Sequence, residues 1–121
     1  MNFEILYFVD EKGNAPVQDY LRHLPSNEKI KVFAYLKHLS DVGYKMRRPF
    51  ADYLGEKTGL YELRPGRHRV LYFFLIRSKV ILLNAFLKKT EAIPERDIEI
   101  AFERKEICEV LHKYHKVDFS E

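Results

Sequence analysis

The chain has 121 residues, 46% of them hydrophobic and 14% aromatic, so it can bury one substantial core. Its 21 Lys and Arg against 18 Asp and Glu leave a net charge of +3, and one cysteine excludes an intrachain disulfide or a four-cysteine zinc site. A disordered tail and a collagen-like repeat are excluded as well. No apolar run approaches the ~20 residues of a membrane helix, and the first residues lack a secretion signal. We therefore expect a single domain over residues 1–121, located in the cytoplasm.

The first half of the chain predicts a strand followed by a helical hairpin. Residues Asn2–Val9 are rich in β-branched and aromatic side chains, which is typical of a strand. Pro16 suits the first turn of a helix, the apolar residues after it recur at helical spacing, and Pro25 ends that helix. A second helix begins at Ser26-Asn27, where either side chain can cap it. It ends at Gly43, which fits a C-terminal position with positive φ.

The second half predicts an irregular basic segment over residues 44–58, then three strands and a final helix. The strands are expected over Gly59–Arg64, Arg67–Ile76 and Val80–Leu87, joined by turns at Pro65-Gly66 and Arg77-Ser78-Lys79. Because these connections are short, the strands must be antiparallel neighbours in a meander. Pro94 opens the final helix at its first position, and a shift in the apolar stripe predicts a break near Arg104-Lys105. The order β-α-α-β-β-β-α indicates an α+β domain.

Positive charge is concentrated in the middle of the chain. Residues 43–90 hold eleven cations and three anions, whereas residues 91–121 hold five cations and nine anions. A folded segment this basic attracts polyanions, of which nucleic acid is the commonest. The alternative is that these charges are solvated and pair with the acidic C-terminal segment.

Alternation along the predicted meander brings several cations together. Period two sends Arg69 to one face of the middle strand and His68 to the other. The turn at Pro65-Gly66 brings the end of the first strand close to Arg69, and the antiparallel register brings the end of the third strand alongside it. The cations at these places form one expected concave patch: Arg64, Arg67, Arg69, Lys88 and Lys89.

Such a patch suits phosphodiester chemistry on RNA. Guanidinium groups bind phosphate oxygens in bidentate fashion, and a lysine among other cations can act as a general base. RNA supplies its own nucleophile, the 2′-hydroxyl, so we expect neither a metal nor a cofactor. The hard ligands of the basic segment are too sparse for a two-metal site: Asp52, Glu56 and Glu62. The chain also lacks HExxH, GxSxG, GxxxxGK[ST] and GxGxxG.

Three segments of the basic half together resemble HigB-type toxins of the RelE/ParE superfamily, and in particular their phage-derived branch. These segments are Gly59-Leu60-Tyr61-Glu62-Leu63-Arg64, Arg69-Val70-Leu71-Tyr72-Phe73-Phe74, and Leu82–Thr90 followed by Ile93-Pro94. The resemblance implies a RelE-like fold, with an N-terminal strand and helical hairpin packed on an antiparallel meander and a C-terminal helix. It also implies the toxin of a type II toxin–antitoxin pair, a metal-independent and ribosome-dependent mRNA endoribonuclease. Its implied partners are mRNA, the ribosome and a cognate HigA-type antitoxin with a helix-turn-helix domain.

This hypothesis assigns roles to the basic residues. Arg69 would stabilise the phosphate in the transition state, Lys89 or Lys57 would take the 2′-proton, and Arg64 would hold the backbone together with Lys88. The residues expected to bind RNA are Lys45, Arg47, Arg48, Arg67, His68 and Lys88.

The chain departs from the family pattern in two places. Asn84 and Ala85 stand where many relatives have His and Gly, and Glu95–Phe102 holds no match to the C-terminal tyrosine of some superfamily members. The proton donor to the leaving oxygen is therefore unassigned. Two other functions stay open: a ParE-like gyrase inhibitor, and a non-catalytic nucleic-acid-binding module.

Overall fold

A computed structural model describes residues 2–76 and 78–120 of the chain. In chain order, the elements of this part are β1 (Glu4–Phe8), α1 (Pro16–Arg22), α2 (Ser26–Val42), a 3₁₀ turn (Gly43–Lys45), β2 (Ala51–Tyr53), β3 (Tyr61–Leu63), β4 (His68–Leu75), β5 (Lys79–Leu87), α3 (Glu95–Leu111) and β6 (Tyr114–Lys116). The α+β class is confirmed, and the arrangement is compatible with the RelE-like fold and its C-terminal helix.

The six strands form one sheet in the order β2-β3-β4-β5-β1-β6. From β2 to β5 each strand pairs antiparallel with the next, so the predicted meander is confirmed and gains one strand at its outer edge. β1 lies parallel to β5, and α1 and α2 carry the chain from β1 to β2 at the far edge of the sheet. β6 pairs antiparallel with β1. The sequence analysis missed β2 and β6, since three residues are too few for a period-two pattern.

Helices cover both faces of the sheet. On one face, α1 and α2 share a core with Val70 and Tyr72 of β4. On the other face, Ala101 of α3 lies in a second core with Leu71 and Phe73. β4 therefore alternates between the two cores, as its sequence predicts, and His68 and Arg69 continue the alternation at its first two positions.

The boundaries of two helices and one strand correct three predictions. α2 begins at Ser26 directly after Pro25 and has no side-chain cap, so the predicted Ser or Asn cap is wrong. Pro94 precedes α3 instead of being its first residue. The connection between β4 and β5 includes Arg77, which lies outside the described residues, and Lys79 already belongs to β5.

α3 runs unbroken through Arg104-Lys105, so the predicted break is wrong. Both long side chains at that point reach the rest of the protein. Arg104 Nη1 donates to the carbonyl of Leu83 at 2.9 Å, and Lys105 Nζ donates to the carbonyl of Thr58 at 3.1 Å. Because cationic side chains can cover apolar surface with their stems, the helix stays docked where its apolar stripe is interrupted.

Gly43 ends α2 with a φ of +52°, as predicted. A Cβ at this position would lie about 2.1 Å from the Phe3 ring, so the turn needs glycine for space as well as for conformation. Among the helices of the described residues, none has the length and apolar character to cross a membrane.

A β-bulge in β5 fixes which side chains share a face near its end. Leu71 pairs with Asn84 and Tyr72 pairs with Leu82, so Leu83 is the extra residue. Leu83 and Asn84 consequently both point to the α3 side, where Leu83 joins the core and Asn84 Nδ2 donates to Asp97 Oδ1 at 3.0 Å. The strand then resumes its alternation with Phe86 on the side of Arg69, its partner across the ladder.

Candidate active site

A basic cavity of about 310 Å³ opens where β3 ends, β4 begins and β5 ends, beside the start of α3. Its lining contains five cations and three acidic residues. The cations are Arg48, Arg64, Arg69, Lys88 and Lys89, and the acids are Asp52, Glu62 and Glu91. Four of the five cations of the predicted patch are thus brought together, from segments up to 25 positions apart.

Arg69 is the most deeply buried cation of the cavity, with 6% of its surface exposed. Its Nη1 donates to the carbonyls of Gly66 and His68, both at 2.8 Å, and its Nε lies 3.7 Å from Glu62 Oε2. Burial lowers the pKa of the guanidinium below its usual value. These contacts do not use Nη2, so a buried arginine with part of its donor capacity in reserve lines the cavity.

Glu62 joins the two arginines in the floor of the cavity. Its Oε1 lies 3.4 Å from Arg64 Nε while its Oε2 faces Arg69, and only 8% of its side chain is exposed. Burial raises the pKa of this carboxyl above its ordinary value of 4.5, whereas the charges of Arg64 and Arg69 act in the opposite direction. The sequence analysis considered Glu62 only as a sparse metal ligand and missed this role. The signal was available, because Glu62 and Arg64 lie two residues apart on one strand.

Lys88 and Lys89 follow β5 directly. They line the cavity together with Arg64, which follows β3, and Arg69 of β4. The backbone N–H of Lys88 donates to the carbonyl of Arg67 at 2.7 Å, which continues the β4–β5 pairing by one more residue. Within residues 2–76 and 78–120, neither ammonium group takes part in an ion pair. They supply the cavity with positive charge, and the charge of Lys88 also acts to lower the pKa of the Glu62 carboxyl.

Arg48 and Asp52 reach the cavity from the segment around β2. Arg48 Nη2 lies 2.7 Å from Asp52 Oδ2, and this contact lowers the pKa of the Asp52 carboxyl. The same two residues also line an adjoining cleft that holds Arg47. Residues 44–58 were predicted to be irregular, so the pairing of β2 that brings Arg48 here was not foreseen.

Four predicted site residues lie elsewhere. Lys57 is exposed in the turn between β2 and β3, and Arg67 is exposed in the turn before β4; neither lines the cavity, and the predicted patch loses Arg67. His68 is on the opposite face of the sheet, where its Nδ1 is 2.7 Å from Tyr20 Oη and its Nε2 is 2.6 Å from Glu28 Oε1. Lys45 is exposed in the 3₁₀ turn and lines neither the cavity nor the adjoining cleft.

Asn84 has a structural place beside the cavity. Its side-chain amide donates to the backbone carbonyl and the carboxylate of Asp97, and Arg104 Nη1 lies 3.4 Å from its oxygen. These bonds fasten the first turns of α3 to β5, next to the Ile93-Pro94 wall of the cavity. Asn84 therefore stabilises the structure around the cavity.

The cavity has the features of a phosphate-binding site. Guanidinium donors approach it from β3 and β4, and ammonium groups approach it from β5, so an anion inside meets charge from several directions. Anion stabilisation of this kind is the largest single contribution in many phosphoryl and acyl transfers. Among the described residues, no group of three or more His, Cys, Asp or Glu side chains is arranged to hold a metal ion.

Comparison with known proteins gives a family. Residues 19–106 match the model of the phage-derived Gp49-like proteins (DUF891), a RelE-related, toxin-like family. The match covers α2, the whole meander and most of α3, including every residue of the basic cavity. No curated protein sequence gives a significant match. The chain belongs to the Gp49-like family.

Proposed function

We propose that this member of a toxin-like family is a HigB-type toxin, a metal-independent mRNA endoribonuclease that cleaves message on the ribosome. The observation that carries the proposal is the gathering of Arg64, Arg69, Lys88 and Lys89 around one cavity. A single cation at a strand end is usually solvated, but here five cations against three acids line 310 Å³, and this excess of positive charge attracts an anion.

The chemistry follows from the RNA backbone. The 2′-oxygen attacks the adjacent phosphorus, the bond from phosphorus to the 5′-oxygen breaks, and the products carry a 2′,3′-cyclic phosphate and a 5′-hydroxyl. Lys89 takes the 2′-proton, and the 5′-oxygen takes up a proton as it leaves. Arg69 stabilises the charge that develops on the phosphorane, while Arg64 and Lys88 hold the flanking backbone.

The supporting structure favours these roles. Glu62 holds Arg64 and Arg69 on one carboxylate, so both guanidinium groups are oriented before the substrate arrives. Between the two candidates for the base, the cavity favours Lys89, since Lys57 does not line it.

Primer extension on cellular mRNA after induction of the chain tests this proposal. We expect discrete new 5′ ends within coding regions for the wild type, and at least a tenfold loss of these ends for Lys89→Ala. Lys113→Ala is the matched control, because Lys113 is an exposed lysine that does not line the cavity. Both variants must accumulate to the same level as the wild type.

Other outcomes assign other functions. DNA damage without new 5′ ends would identify a gyrase inhibitor, and salt-sensitive nucleic-acid binding without growth arrest would identify a non-catalytic binding module. Loss of cleavage in Lys57→Ala with retention in Lys89→Ala would move the base to Lys57.

A toxin-like family implies an antitoxin in general. We propose that the partner here is of HigA type, with a helix-turn-helix domain, and that the pair acts in the cytoplasm, where message and ribosomes are found. Co-expression with the product of an adjacent reading frame that encodes a helix-turn-helix protein should restore growth and should allow the two chains to be purified together. Continued growth arrest with both chains present would contradict this pairing.

A further inference from the structure

A second cleft, of about 650 Å³, lies beside the basic cavity along β2. Its walls carry three tyrosines and two arginines: Tyr44, Tyr53, Tyr61, Arg47 and Arg48. We call it the tyrosine cleft. Arg48 and Asp52 line both openings. The tyrosines lie on the helical-hairpin face of the sheet and the basic cavity lies on the α3 face, so the two openings meet around the β2 edge of the sheet, at the ion pair between Arg48 and Asp52.

The tyrosine rings form an exposed aromatic surface. Tyr53 is 45% exposed and Tyr44 is 47% exposed, although large aromatic side chains are usually buried much further. Tyr53 and Tyr61 face each other across the β2–β3 ladder, with ring centroids 4.7 Å apart. Tyr44 stacks on Phe74 at 4.0 Å, so the core supports one face of its ring. The rings are therefore held in place while much of their surface stays open to solvent.

The arginines give the cleft positive charge. Arg47 Nη1 donates to the carbonyl of Tyr44 at 2.7 Å, which fixes this guanidinium beside the aromatic surface. Asp52, the acidic residue of the lining, is already paired with Arg48. Aromatic rings next to guanidinium groups form the surface on which single-stranded nucleic acids bind, since bases stack on the rings and phosphates contact the cations.

We propose that the tyrosine cleft binds an unpaired base of the same RNA strand whose phosphodiester occupies the basic cavity. The proposal rests on the proposed function for the identity of the strand. An acidic protein segment would also suit the arginines, but it would leave the tyrosine rings without a role, and the cleft adjoins the phosphate site. The position of the cleft would set how many nucleotides separate the scissile phosphodiester from the base that stacks on the tyrosines.

The test measures binding separately from cleavage. The probe is a fluorescent single-stranded oligoribonucleotide with 2′-O-methyl groups, which cannot attack the phosphodiester, and anisotropy is read at one fixed salt concentration. We expect Tyr53→Ala to weaken binding by about tenfold and Tyr53→Phe, which keeps the ring, to bind like the wild type. Phe119→Ala is the control, because Phe119 is an exposed aromatic outside both openings.

A second probe series lacks one base at successive positions. One abasic position should weaken binding to the wild type by about tenfold and should have no further effect on Tyr53→Ala, since the ring and the base are then partners. Equal penalties in both proteins at every position would overturn the proposal, as would wild-type protein that does not bind the probe. So would a Tyr53→Ala variant that binds RNA normally but loses the antitoxin.

These outcomes are distinguishable from failure of the proposed function. Ring-dependent binding without new 5′ ends in cellular mRNA would keep the tyrosine cleft and remove the nuclease. New 5′ ends with binding that is insensitive to Tyr53 would keep the nuclease and remove the cleft.

Discussion

His68 and Arg69 are neighbours in β4 and equally buried, with 6% of each exposed, yet they belong to different parts of the molecule. His68 faces the helical hairpin, where Tyr20 and Glu28 occupy both of its ring nitrogens. Arg69 faces the α3 side, where its described hydrogen bonds use Nη1, its Nε is ion-paired with Glu62, and the cavity lies in front of it. The difference teaches that burial of a polar side chain does not by itself indicate a functional site. A buried polar side chain indicates one when it faces a cavity and still has hydrogen-bond donors that no protein group uses.

The largest expected effect in this comparison comes from Arg69→Lys. The substitution keeps the charge but removes the planar donor set, so cleavage should fall by about 100-fold or more. The measurement is the rate of mRNA cleavage in a translating extract, normalised to folded protein. Lysine is chosen over alanine because alanine would also remove a positive charge from beside the buried Glu62 carboxylate. A variant that cleaves at the wild-type rate would remove Arg69 from the mechanism.

His68→Ala should act mainly on stability. It leaves the Tyr20 hydroxyl and the Glu28 carboxylate without their shared partner, at a cost of about 1–3 kcal/mol in the free energy of unfolding. Urea denaturation measures this cost, and His115→Ala, at an exposed histidine, should change stability by less than about 0.5 kcal/mol. Cleavage per folded molecule should fall less than in Arg69→Lys. If cleavage per folded molecule fell more in His68→Ala than in Arg69→Lys, the face of the sheet toward the helical hairpin would take part in the reaction.

The smallest expected effect is on how folding stability depends on pH. It concerns Glu62 and Asp52, which lie opposite each other on β3 and β2 and have pKa shifts of opposite sign. Since the pKa of Glu62 is raised, its favourable contribution is present below pH 4.5 and is lost as pH rises through its folded value. Since the pKa of Asp52 is lowered, its contribution is present above pH 3.8 and is lost as pH falls through its folded value.

Melting temperatures between pH 3 and pH 7 check these signs. Glu62→Gln should remove the loss of stability above pH 4.5, and Asp52→Asn should remove part of the acid-induced loss, each by a few degrees at most. The two variants are controls for each other. Identical pH profiles for both would mean that burial of Glu62 and the contact of Asp52 with Arg48 do not shift the two pKa values in opposite directions.

The strand pattern predicted much of the fold and part of the site. Alternation in β4 and the short Pro65-Gly66 turn were enough to bring Arg64, Arg69 and Lys88 to one place. The capping of α2 and the continuity of α3 were predicted wrongly, because Pro25 and the reach of Arg104 outweigh local patterns. The local sequence pattern also cannot show where a strand of only three residues, such as β2 or β6, pairs in the sheet.

The missing parts of the site have a common physical cause. Glu62 and Asp52 are recognised only once β2, β3 and β4 lie side by side, since their partners come from other positions along the chain. His68 failed in the opposite way: it was expected to bind RNA, although alternation placed it on the face opposite Arg69, and there Tyr20 and Glu28 occupy its ring nitrogens. Tertiary pairing, more than residue type, decides both cases.

The extra residue in β5 has a consequence for how the length of this strand is constrained. A deletion of Leu83 would remove the bulge and leave a regular strand, in which Asn84, Phe86 and Lys88 keep the α3 face. A deletion of Ala85 with the bulge retained would instead turn Phe86 and Lys88 toward the helical hairpin, away from Arg69. The charged residues would be the same in both chains. The bulge therefore lets β5 lose one residue at Leu83 without losing the cavity, but not one residue beyond it.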